Sequence, residues 1–415
     1  MKHLAILMFW LAISPFTLNA ENDRNWPQFR GPNGDGMATD AKLPSKLTEG
    51  ENLRWKIPIS GRGWSSPVIW GNRIWLTTAP QDGKQLFAIC VDFRSGKTLH
   101  RIKVFDVVNP RFRHATNSYA SCTPVIEEGR IYVHFGSYGT ACLDTETGKK
   151  IWERRDLPCN HFRGPGSSPI LFKNLLILTF DGFDYQYVTA LDKTTGKTVW
   201  KKDRNISYGT DNGDYKKAYS TPSVFKTKKR NVLVSPSAVE TVAYNPENGN
   251  ELWRVRHGGM NAAAKPIFGH NLIYITAGEG ASRLIAVRPG GSGNVTDSHV
   301  IWRKAQGIPR RPSQLLIGDL LLMIADNGVA SCLDAKTGKK IWQKRFSGAF
   351  WASPIFANGK IYCFSKEGKV VVVKARRKFE QISEGQFESG FNASPAVKGN
   401  SIVLRTFHHL YRIEK

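Results

Sequence analysis

The stretch LDTETGKKIW, residues 143–152, decides the fold because it returns elsewhere in the chain with nearly the same letters. Residues 191–200 read LDKTTGKTVW, and residues 333–342 read LDAKTGKKIW. In each copy the aspartate can accept backbone hydrogen bonds across a tight turn, and the glycine supplies the positive φ of a bulged hairpin. The stretch therefore predicts two antiparallel strands joined by a Thr-Gly turn, repeated along the chain.

The repeat is longer than these ten residues. Each unit begins with a proline that follows small or polar residues and precedes a short apolar run, and two further β-rich runs come before the Thr-Gly turn. Successive prolines lie 41 to 57 residues apart, a period in the range of β-propeller blades. We therefore expect eight four-stranded antiparallel units, which begin at Pro67, Pro124, Pro169, Pro222, Pro266, Pro312, Pro354 and Pro395.

The two ends of the repeat array complement each other. The eighth unit, from residue 393 to residue 413, has three strand-like runs and lacks the fourth. An isolated run LRWKI, residues 53–57, precedes the first unit and can supply that strand. Pairing the ends would remove exposed sheet edges. The sequence thus predicts an all-β, eight-bladed propeller over residues 51–415, its last blade closed by an N-terminal strand, instead of the two or three domains that 415 residues would suggest.

One tryptophan recurs near the end of most units. Stacking of a sugar or cofactor on these indoles is one interpretation. Packing is the favoured one, because a residue at a fixed place in every blade fills the wedge between sheets and offers an indole N–H to its neighbour. These structural tryptophans are Trp55, Trp152, Trp200, Trp253, Trp302 and Trp342.

Residues 1–20 have the pattern of a secretory signal peptide, with Lys2, an apolar run from Leu4 to Ile13, and Ala20 at the expected cleavage point. A membrane anchor is the alternative, but ten apolar residues are too short to span about 30 Å of hydrocarbon. We expect an exported protein, periplasmic or extracellular, with no transmembrane span and an N-terminal extension over residues 21–50. The formal net charge of +25 then favours a protein or an anionic envelope component, glycan or lipid, over nucleic acid.

The repeat resembles the pyrroloquinoline quinone (PQQ) type of propeller repeat, found in quinoprotein dehydrogenases and in outer-membrane assembly proteins of the BamB type. The leading stretch NWPQFRGPNGDG, residues 25–36, is similar to that of PQQ-like propellers of planctomycete-type bacteria. The resemblance implies the propeller fold and either a redox or a scaffold role. Quinoprotein alcohol dehydrogenases hold the quinone against a disulfide of adjacent cysteines and use a calcium or lanthanide ion, whereas no two cysteines are adjacent here. No cofactor is therefore expected, and PQQ with Ca²⁺ is the alternative.

The six cysteines are read as structural. Cys90, Cys142 and Cys332 occupy one repeat position where another unit has Ala190, which is typical of a small buried strand residue. Cys122 and Cys159 could form a disulfide in an oxidising compartment.

Loops between successive units gather around one mouth of a propeller channel, and here they are long and rich in cationic, aromatic and amide side chains. Such a set suits a carboxylate, sulfate or phosphate group, since arginine binds these groups bidentately. The alternative is a set of solvated loops. The candidate ligand-binding residues are Arg111, Arg113, His114, Asn117, Tyr119, His161, Arg163, Asp211, Asn212, Arg310 and Arg311.

The sequence favours a non-catalytic binding or assembly scaffold of the cell envelope. No catalytic residue and no metal ligand is assigned. A quinoprotein oxidoreductase with an atypical site is the first alternative, and hydrolase or lyase chemistry on a polyanionic polysaccharide is the second.

Overall fold

A computed structural model describes residues 25–280 and 283–415, so the predicted signal peptide, residues 1–20, lies outside the described residues. Eight antiparallel sheets follow one another along the chain and form a ring, which confirms the predicted eight-bladed β-propeller. Within the described ranges the helical content is a single 3₁₀ turn, Gly213–Lys216. No described helix is long and apolar enough to cross a membrane.

Each blade has its first strand beside the central channel and its fourth strand outside. In blade 2, for example, Val125–Glu127 is largely buried, whereas Lys150–Arg154 is largely exposed. The strands of the first four blades are Val68–Trp70, Arg73–Thr78, Gln85–Asp92 and Thr98–Asp106 in blade 1; Val125–Glu127, Arg130–His134, Thr140–Asp144 and Lys150–Arg154 in blade 2; Ile170–Phe172, Leu175–Asp181, Gln186–Asp192 and Thr198–Asp203 in blade 3; and Ser223–Lys226, Asn231–Pro236, Glu240–Tyr244 and Glu251–Arg256 in blade 4.

The second half of the ring repeats this order, and two short strands add to it. Gly293–Asn294 runs parallel to the outer strand of blade 4, and Met37–Ala38 runs parallel to the inner strand of blade 7. The strands are Ile267–Gly269, Leu272–Thr276, Leu284–Val287 and Val300–Lys304 in blade 5; Leu315–Ile317, Leu320–Ile324, Val329–Asp334 and Lys340–Arg345 in blade 6; Ile355–Ala357, Lys360–Phe364, Lys369–Lys374 and Gln381–Gln386 in blade 7; and Ala396–Lys398, Ser401–Arg405, His409–Glu414 and Leu53–Pro58 in blade 8.

Blade 8 is the composite blade that the sequence predicts. Its outer strand, Leu53–Pro58, pairs antiparallel with His409–Glu414, and Ile57 faces Leu410 across the ladder. The first and last parts of the propeller are therefore held by the same kind of backbone hydrogen bonds as every other blade. This pairing closes the ring and gives blade 8 the same four strands as the other blades.

A ring of hydrogen bonds links the blades at the start of their inner strands. In seven of the eight junctions the backbone N–H of one blade donates to a serine or threonine hydroxyl of the next, at 2.9 to 3.1 Å. Lys265 interrupts this hydroxyl belt, since it has no hydroxyl to accept the eighth bond. The belt residues are Ser66, Thr123, Ser168, Thr221, Lys265, Ser313, Ser353 and Ser394.

The belt corrects one detail of the sequence analysis. Seven of the eight repeat prolines lie directly after a belt residue and directly before the inner strand. In blade 6 that position is held by Gln314, and Pro312 precedes the belt residue Ser313. Pro312 is the proline nearest to the repeat position, but strand register places it two residues before that position.

The leading stretch, residues 25–36, crosses the central channel, and we call it the channel segment. Trp26 exchanges backbone hydrogen bonds with Ile69 of blade 1, at 2.9 and 2.8 Å. Arg30 is buried and donates to the carbonyl oxygens of Gln314 and Pro354, on blades 6 and 7, at 2.7 and 3.1 Å. The segment thus spans the channel from one side of the ring to the other.

Five of the six repeat tryptophans bond to the next blade. Their indole nitrogens donate to backbone carbonyl oxygens at 3.0 to 3.1 Å. The glycine of the neighbouring turn approaches the indole so closely that a Cβ on Gly196 would lie 2.7 Å from Trp152. The donor and acceptor pairs are Trp55 with Phe93, Trp152 with Lys193, Trp200 with Pro246, Trp302 with Ala335, and Trp342 with Arg376.

All six cysteines are buried and unpaired, so the structure contains no disulfide between Cys122 and Cys159. Burial raises the pKa of the Cys122 thiol to about 12, which keeps it protonated and poorly reactive at neutral pH.

Candidate functional site

One end of the channel opens into a cavity of about 430 Å³, which we call the mouth cavity. Its floor is formed by Phe29 of the channel segment and by six hydroxyls of the belt. Each belt hydroxyl accepts an N–H from the neighbouring blade, so its own proton is available for a group inside the cavity. The channel segment therefore turns an open pore into a pocket that is entered from one side.

The wall of the mouth cavity is a second ring of residues, one from each blade, and all but Gly166 contribute a side chain. Each stands two residues before a belt residue, and because backbone in extended form alternates its side chains, both positions face the cavity while the residue between them does not. The eight members are Trp64, Ser121, Gly166, Tyr219, Ala263, Arg311, Trp351 and Asn392. Seven of them were missed as site residues from the sequence, although the phase of the repeat carried the signal.

Five of the eleven predicted ligand-binding residues line the mouth cavity: His114, Asn117, Arg163, Arg310 and Arg311. His114 bonds locally through Nδ1 to the Thr116 hydroxyl, at 2.8 Å. The amide nitrogen of Asn117 donates to the carbonyl oxygen of Arg163, at 2.8 Å, so the loops before blades 2 and 3 are tied together.

The three arginines that line the mouth cavity all have carboxylate partners, which the sequence did not indicate. Arg163 forms a two-pronged ion pair with Asp214, Arg310 pairs with Glu279 at 3.1 Å, and Arg311 pairs with Asp326. Burial alone would raise the pKa of the Glu279 carboxyl, but a hydrogen bond from Asn261 and the nearby arginines hold it below its usual value. The wall is therefore a charge-balanced network.

Six predicted residues lie outside the mouth cavity: Arg111, Arg113, Tyr119, His161, Asp211 and Asn212. Arg111 donates to the carbonyl oxygen of Cys159 at 3.0 Å, and Tyr119 donates its hydroxyl to the carbonyl oxygen of Arg111 at 2.9 Å. Arg113 donates to the carbonyl oxygen of Asn117 at 3.1 Å. These three side chains hold the loop before blade 2 in place.

His161 is enclosed and accepts the backbone N–H of Ser137 at 3.1 Å. Burial, with the nearby Lys217, lowers the pKa of His161 well below its usual value, so the ring is neutral. Asn212 caps the 3₁₀ turn by accepting the N–H of Asp214 at 3.0 Å, and Asp211 is exposed beside it. None of the three faces the mouth cavity.

A second cavity, of about 550 Å³, adjoins the first above blades 7, 8 and 1, and we call it the side cleft. The two share Trp64, Thr116, Trp351 and Asn392. No residue that lines the side cleft is among the eleven predicted. Its remaining lining residues are Gly61, Arg62, Gln81, Ala115, Lys366, Phe407 and His408.

The sequence matches a family model described as outer membrane protein assembly factor BamB, over residues 88–183 and 184–415. The chain belongs to this PQQ-like propeller family. Among its curated relatives, BamB from Shewanella oneidensis is 21% identical over 319 residues, which cover 72% of this chain and 75% of that protein. Quinoprotein alcohol dehydrogenase PedH from Pseudomonas putida is 32% identical over 143 residues, 31% of this chain and 22% of PedH.

Tetrathionate hydrolase from Acidithiobacillus ferrooxidans is 20% identical over 266 residues, 57% of this chain and 50% of the hydrolase. The chain thus spans half or less of the length of PedH and of this hydrolase. Among solved structures, a europium-containing methanol dehydrogenase superposes with a TM-score of 0.74 at 10% identity, covering 94% of this chain and 98% of that one. BamB from Moraxella catarrhalis superposes with 0.63 at 12% identity, covering 88% and 97%. These likenesses show the fold.

PQQ with Ca²⁺, the alternative that the sequence resemblance implies, does not fit the mouth cavity. Ca²⁺ takes six to eight oxygen ligands, usually with several carboxylates among them. Glu279 is the one carboxylate among the described lining residues, and it already binds Arg310 and Asn261. Nor does any group of three or more His, Cys, Asp or Glu in residues 25–280 and 283–415 form a candidate metal site.

Proposed function

We propose that this propeller is an exported, non-catalytic binding or assembly scaffold of the cell envelope, and that its channel mouth receives an anionic group of a protein, glycan or lipid partner. The mouth cavity carries this proposal. It has the size of a small-molecule pocket, one entrance, and a wall to which every blade of a rigid ring contributes a residue.

The chemistry of the mouth suits an anion that also bears hydrogen-bonding groups. Arg163, Arg310 and Arg311 place guanidinium groups on one side, and the belt hydroxyls offer protons from below. One family relative is named for an anionic substrate, tetrathionate, and two are named as outer-membrane assembly factors. These names support an envelope location and an anionic ligand, and the predicted signal peptide agrees with export.

Filling the mouth cavity tests the proposal. Ala263 is a small member of its wall, so Ala263→Trp should block entry without removing any charge. Sodium polygalacturonate, an acidic polysaccharide, and vesicles that contain phosphatidylglycerol are the probes, and binding is measured by co-sedimentation and calorimetry at low and high salt. We expect wild-type protein to bind at least one probe in a salt-dependent manner and the variant to lose about tenfold or more in affinity.

Val108→Trp is the matched control, because Val108 is 86% exposed and is not among the lining residues of either cavity. Equal binding by wild type and Ala263→Trp would show that the cavity is not the site and that the overall positive charge causes the binding.

A quinoprotein oxidoreductase with an atypical site is the second candidate function, because the chain is 32% identical to PedH over 143 residues. Incubation with PQQ and Ca²⁺, followed by quinone absorbance and dye-linked alcohol oxidation, tests it directly. Stoichiometric uptake with turnover would replace the scaffold proposal.

A further inference from the structure

We propose that the side cleft is an oxyanion subsite that binds the acidic group of a sugar, such as a uronate or a sulfated residue of a glycan. The inference rests on the proposed binding function and assigns it a subsite and a ligand class. In this proposal the ligand's anionic group binds Arg62 and Lys366, and not the arginines that the sequence predicted at the channel mouth.

The side cleft differs from the mouth cavity in having cations without counter-charges. Its described lining contains Arg62, Lys366 and His408 and no aspartate or glutamate. Neither Arg62 nor Lys366 forms an ion pair within residues 25–280 and 283–415. A ligand oxyanion would thus meet charges that are not already neutralised by the protein.

Arg62 is held in position and still has a donor to spare. Its Nη2 donates to the carbonyl oxygen of Ala115 at 2.6 Å, and its guanidinium lies 4.8 Å from the ring centre of Trp64. Its Nε is buried and has no hydrogen-bond partner. Burial and the neighbouring Arg113 lower the pKa of Arg62, because no opposite charge offsets them. An incoming carboxylate or sulfate oxygen would supply both the missing acceptor and the missing charge.

Two further cations add to the positive potential of the cleft. The ammonium of Lys366 lies 4.0 Å from the ring centre of Trp351, on the opposite rim. Arg405 lies beneath the backbone between Arg62 and Trp64, since a Cβ on Gly63 would be 2.5 Å from its Nη2. Arg405 binds only neutral oxygens, such as the carbonyl oxygen of Ser65 at 2.9 Å. Burial lowers the pKa of Arg405 to about 9, so it stays charged at neutral pH.

The other lining groups indicate what carries the oxyanion. The Oδ1 atom of Asn392 is buried without a partner, so it needs an O–H or N–H donor. The side chains of Trp64, Trp351 and Phe407 supply apolar contact. An acidic sugar combines the required groups: an oxyanion, neighbouring hydroxyls and an apolar ring face. An inorganic anion lacks the last two, and the acidic side chain of a peptide lacks the apolar ring face.

The connection between the two cavities defines how a glycan would lie. Trp64, Thr116, Trp351 and Asn392 line both, so a chain with an acidic unit in the side cleft can place its next unit in the mouth cavity. There the belt hydroxyls and the unpartnered Oδ1 of Asn261 offer complementary hydrogen bonds. Each cavity lies within the size range of a small-molecule pocket.

Calorimetry with trigalacturonate tests the subsite, with neutral maltotriose and the peptide triglutamate as comparison probes. We expect wild-type protein to bind trigalacturonate at least tenfold more tightly than either comparison probe. Arg62→Gln and Lys366→Gln should each weaken trigalacturonate binding by about tenfold, the usual loss for one charge-assisted contact. Arg62→Lys should recover part of the loss, and thermal unfolding confirms that each variant is folded. Arg345→Gln, an exposed arginine on blade 6 outside both cavities, should bind as wild type does.

Three results would overturn the assignment. Unchanged trigalacturonate binding in Arg62→Gln and Lys366→Gln, with loss only in Ala263→Trp, would remove the side cleft and leave the proposed scaffold function intact. Equal affinity for triglutamate would exclude the sugar. No trigalacturonate binding by wild-type protein at millimolar concentration would reject the subsite, and the vesicle assay would then decide the proposed function separately.

Discussion

The cavity wall formed by blades 3 to 6 and the cleft above blades 7, 8 and 1 use the same residue types in opposite ways. On the first side Arg163, Arg310 and Arg311 are each paired with a carboxylate. On the second side Arg62 and Lys366 have aromatic neighbours and no ion pair among the described residues. The number of arginines near a site therefore says little about its capacity for an anion.

The difference has a simple electrostatic cause. A guanidinium that already binds a carboxylate must give up or share that contact before it can bind a ligand, whereas an unpaired one gains a contact at no such cost. Paired arginines then act mainly in stability and loop order, and unpaired ones are available for binding. Each prediction below tests one part of this distinction.

The largest effect on stability is expected from an arginine whose ion pair with a carboxylate is fully buried. Arg204 donates through Nη2 to Asp181 Oδ2 at 2.7 Å, and the two side chains are 0% and 2% exposed. Arg204→Met leaves the buried carboxylate uncompensated and should lower the free energy of unfolding by about 3–5 kcal/mol. Urea unfolding measures it, and Lys366→Met, which breaks no ion pair, should change it by less than about 0.5 kcal/mol. Similar losses of unfolding free energy in the two variants would contradict the distinction between paired cations that stabilise the fold and unpaired cations that are available for binding.

The next effect, smaller within any single pH unit, is expected from Lys265, a buried lysine with no ion pair among the described residues. Burial and the nearby Arg30 lower the pKa of Lys265 to about 7, with partial compensation by Asp35. Between about pH 7 and pH 10 the lysine is protonated in the unfolded chain and neutral in the folded chain. The free energy of unfolding should therefore fall as the pH drops through this range, by at most about 1.4 kcal/mol per pH unit. Lys265→Met should flatten the curve of urea midpoint against pH. An unchanged slope would show that Lys265 does not titrate in this window.

The smallest effect is expected when an arginine at the channel mouth loses the charge of its carboxylate partner. Asp326→Asn keeps an acceptor for the backbone N–H of Arg310, at 2.7 Å in the parent, but removes the charge that pairs with Arg311. We expect a stability loss of about 1 kcal/mol and a gain of a few fold in trigalacturonate affinity, because Arg311 lies 4.1 Å from the ring centre of Trp351, beside the side cleft. Weaker trigalacturonate binding by this variant would show that the ion pair with Asp326 does not keep Arg311 from binding the ligand.

The repeat allowed much of the fold to be predicted. Blade number, strand order and closure by residues 53–57 follow from patterns that lie within single units or at the chain ends. Pro312 shows the limit: the pattern alone could not tell a proline of the repeat from one two residues upstream, because only strand pairing sets the register.

The site was predictable in part. His114, Asn117, Arg163, Arg310 and Arg311 were placed at the mouth because interblade loops must gather there. The second ring of wall residues could have been found by counting two positions back from each belt residue. Arg62 and Lys366 carry no such signal, since each is a single cation in a short loop.

By itself the sequence determined a closed ring of eight blades, because hydrophobic alternation, turn residues and recurring tryptophans act within each unit or between neighbouring units. Only the tertiary structure decided which of 59 lysines and arginines are free to bind. Ion pairs such as Arg163 with Asp214 join residues 51 positions apart on the loops of different blades. Their formation depends on distances of a few ångströms that no local pattern encodes.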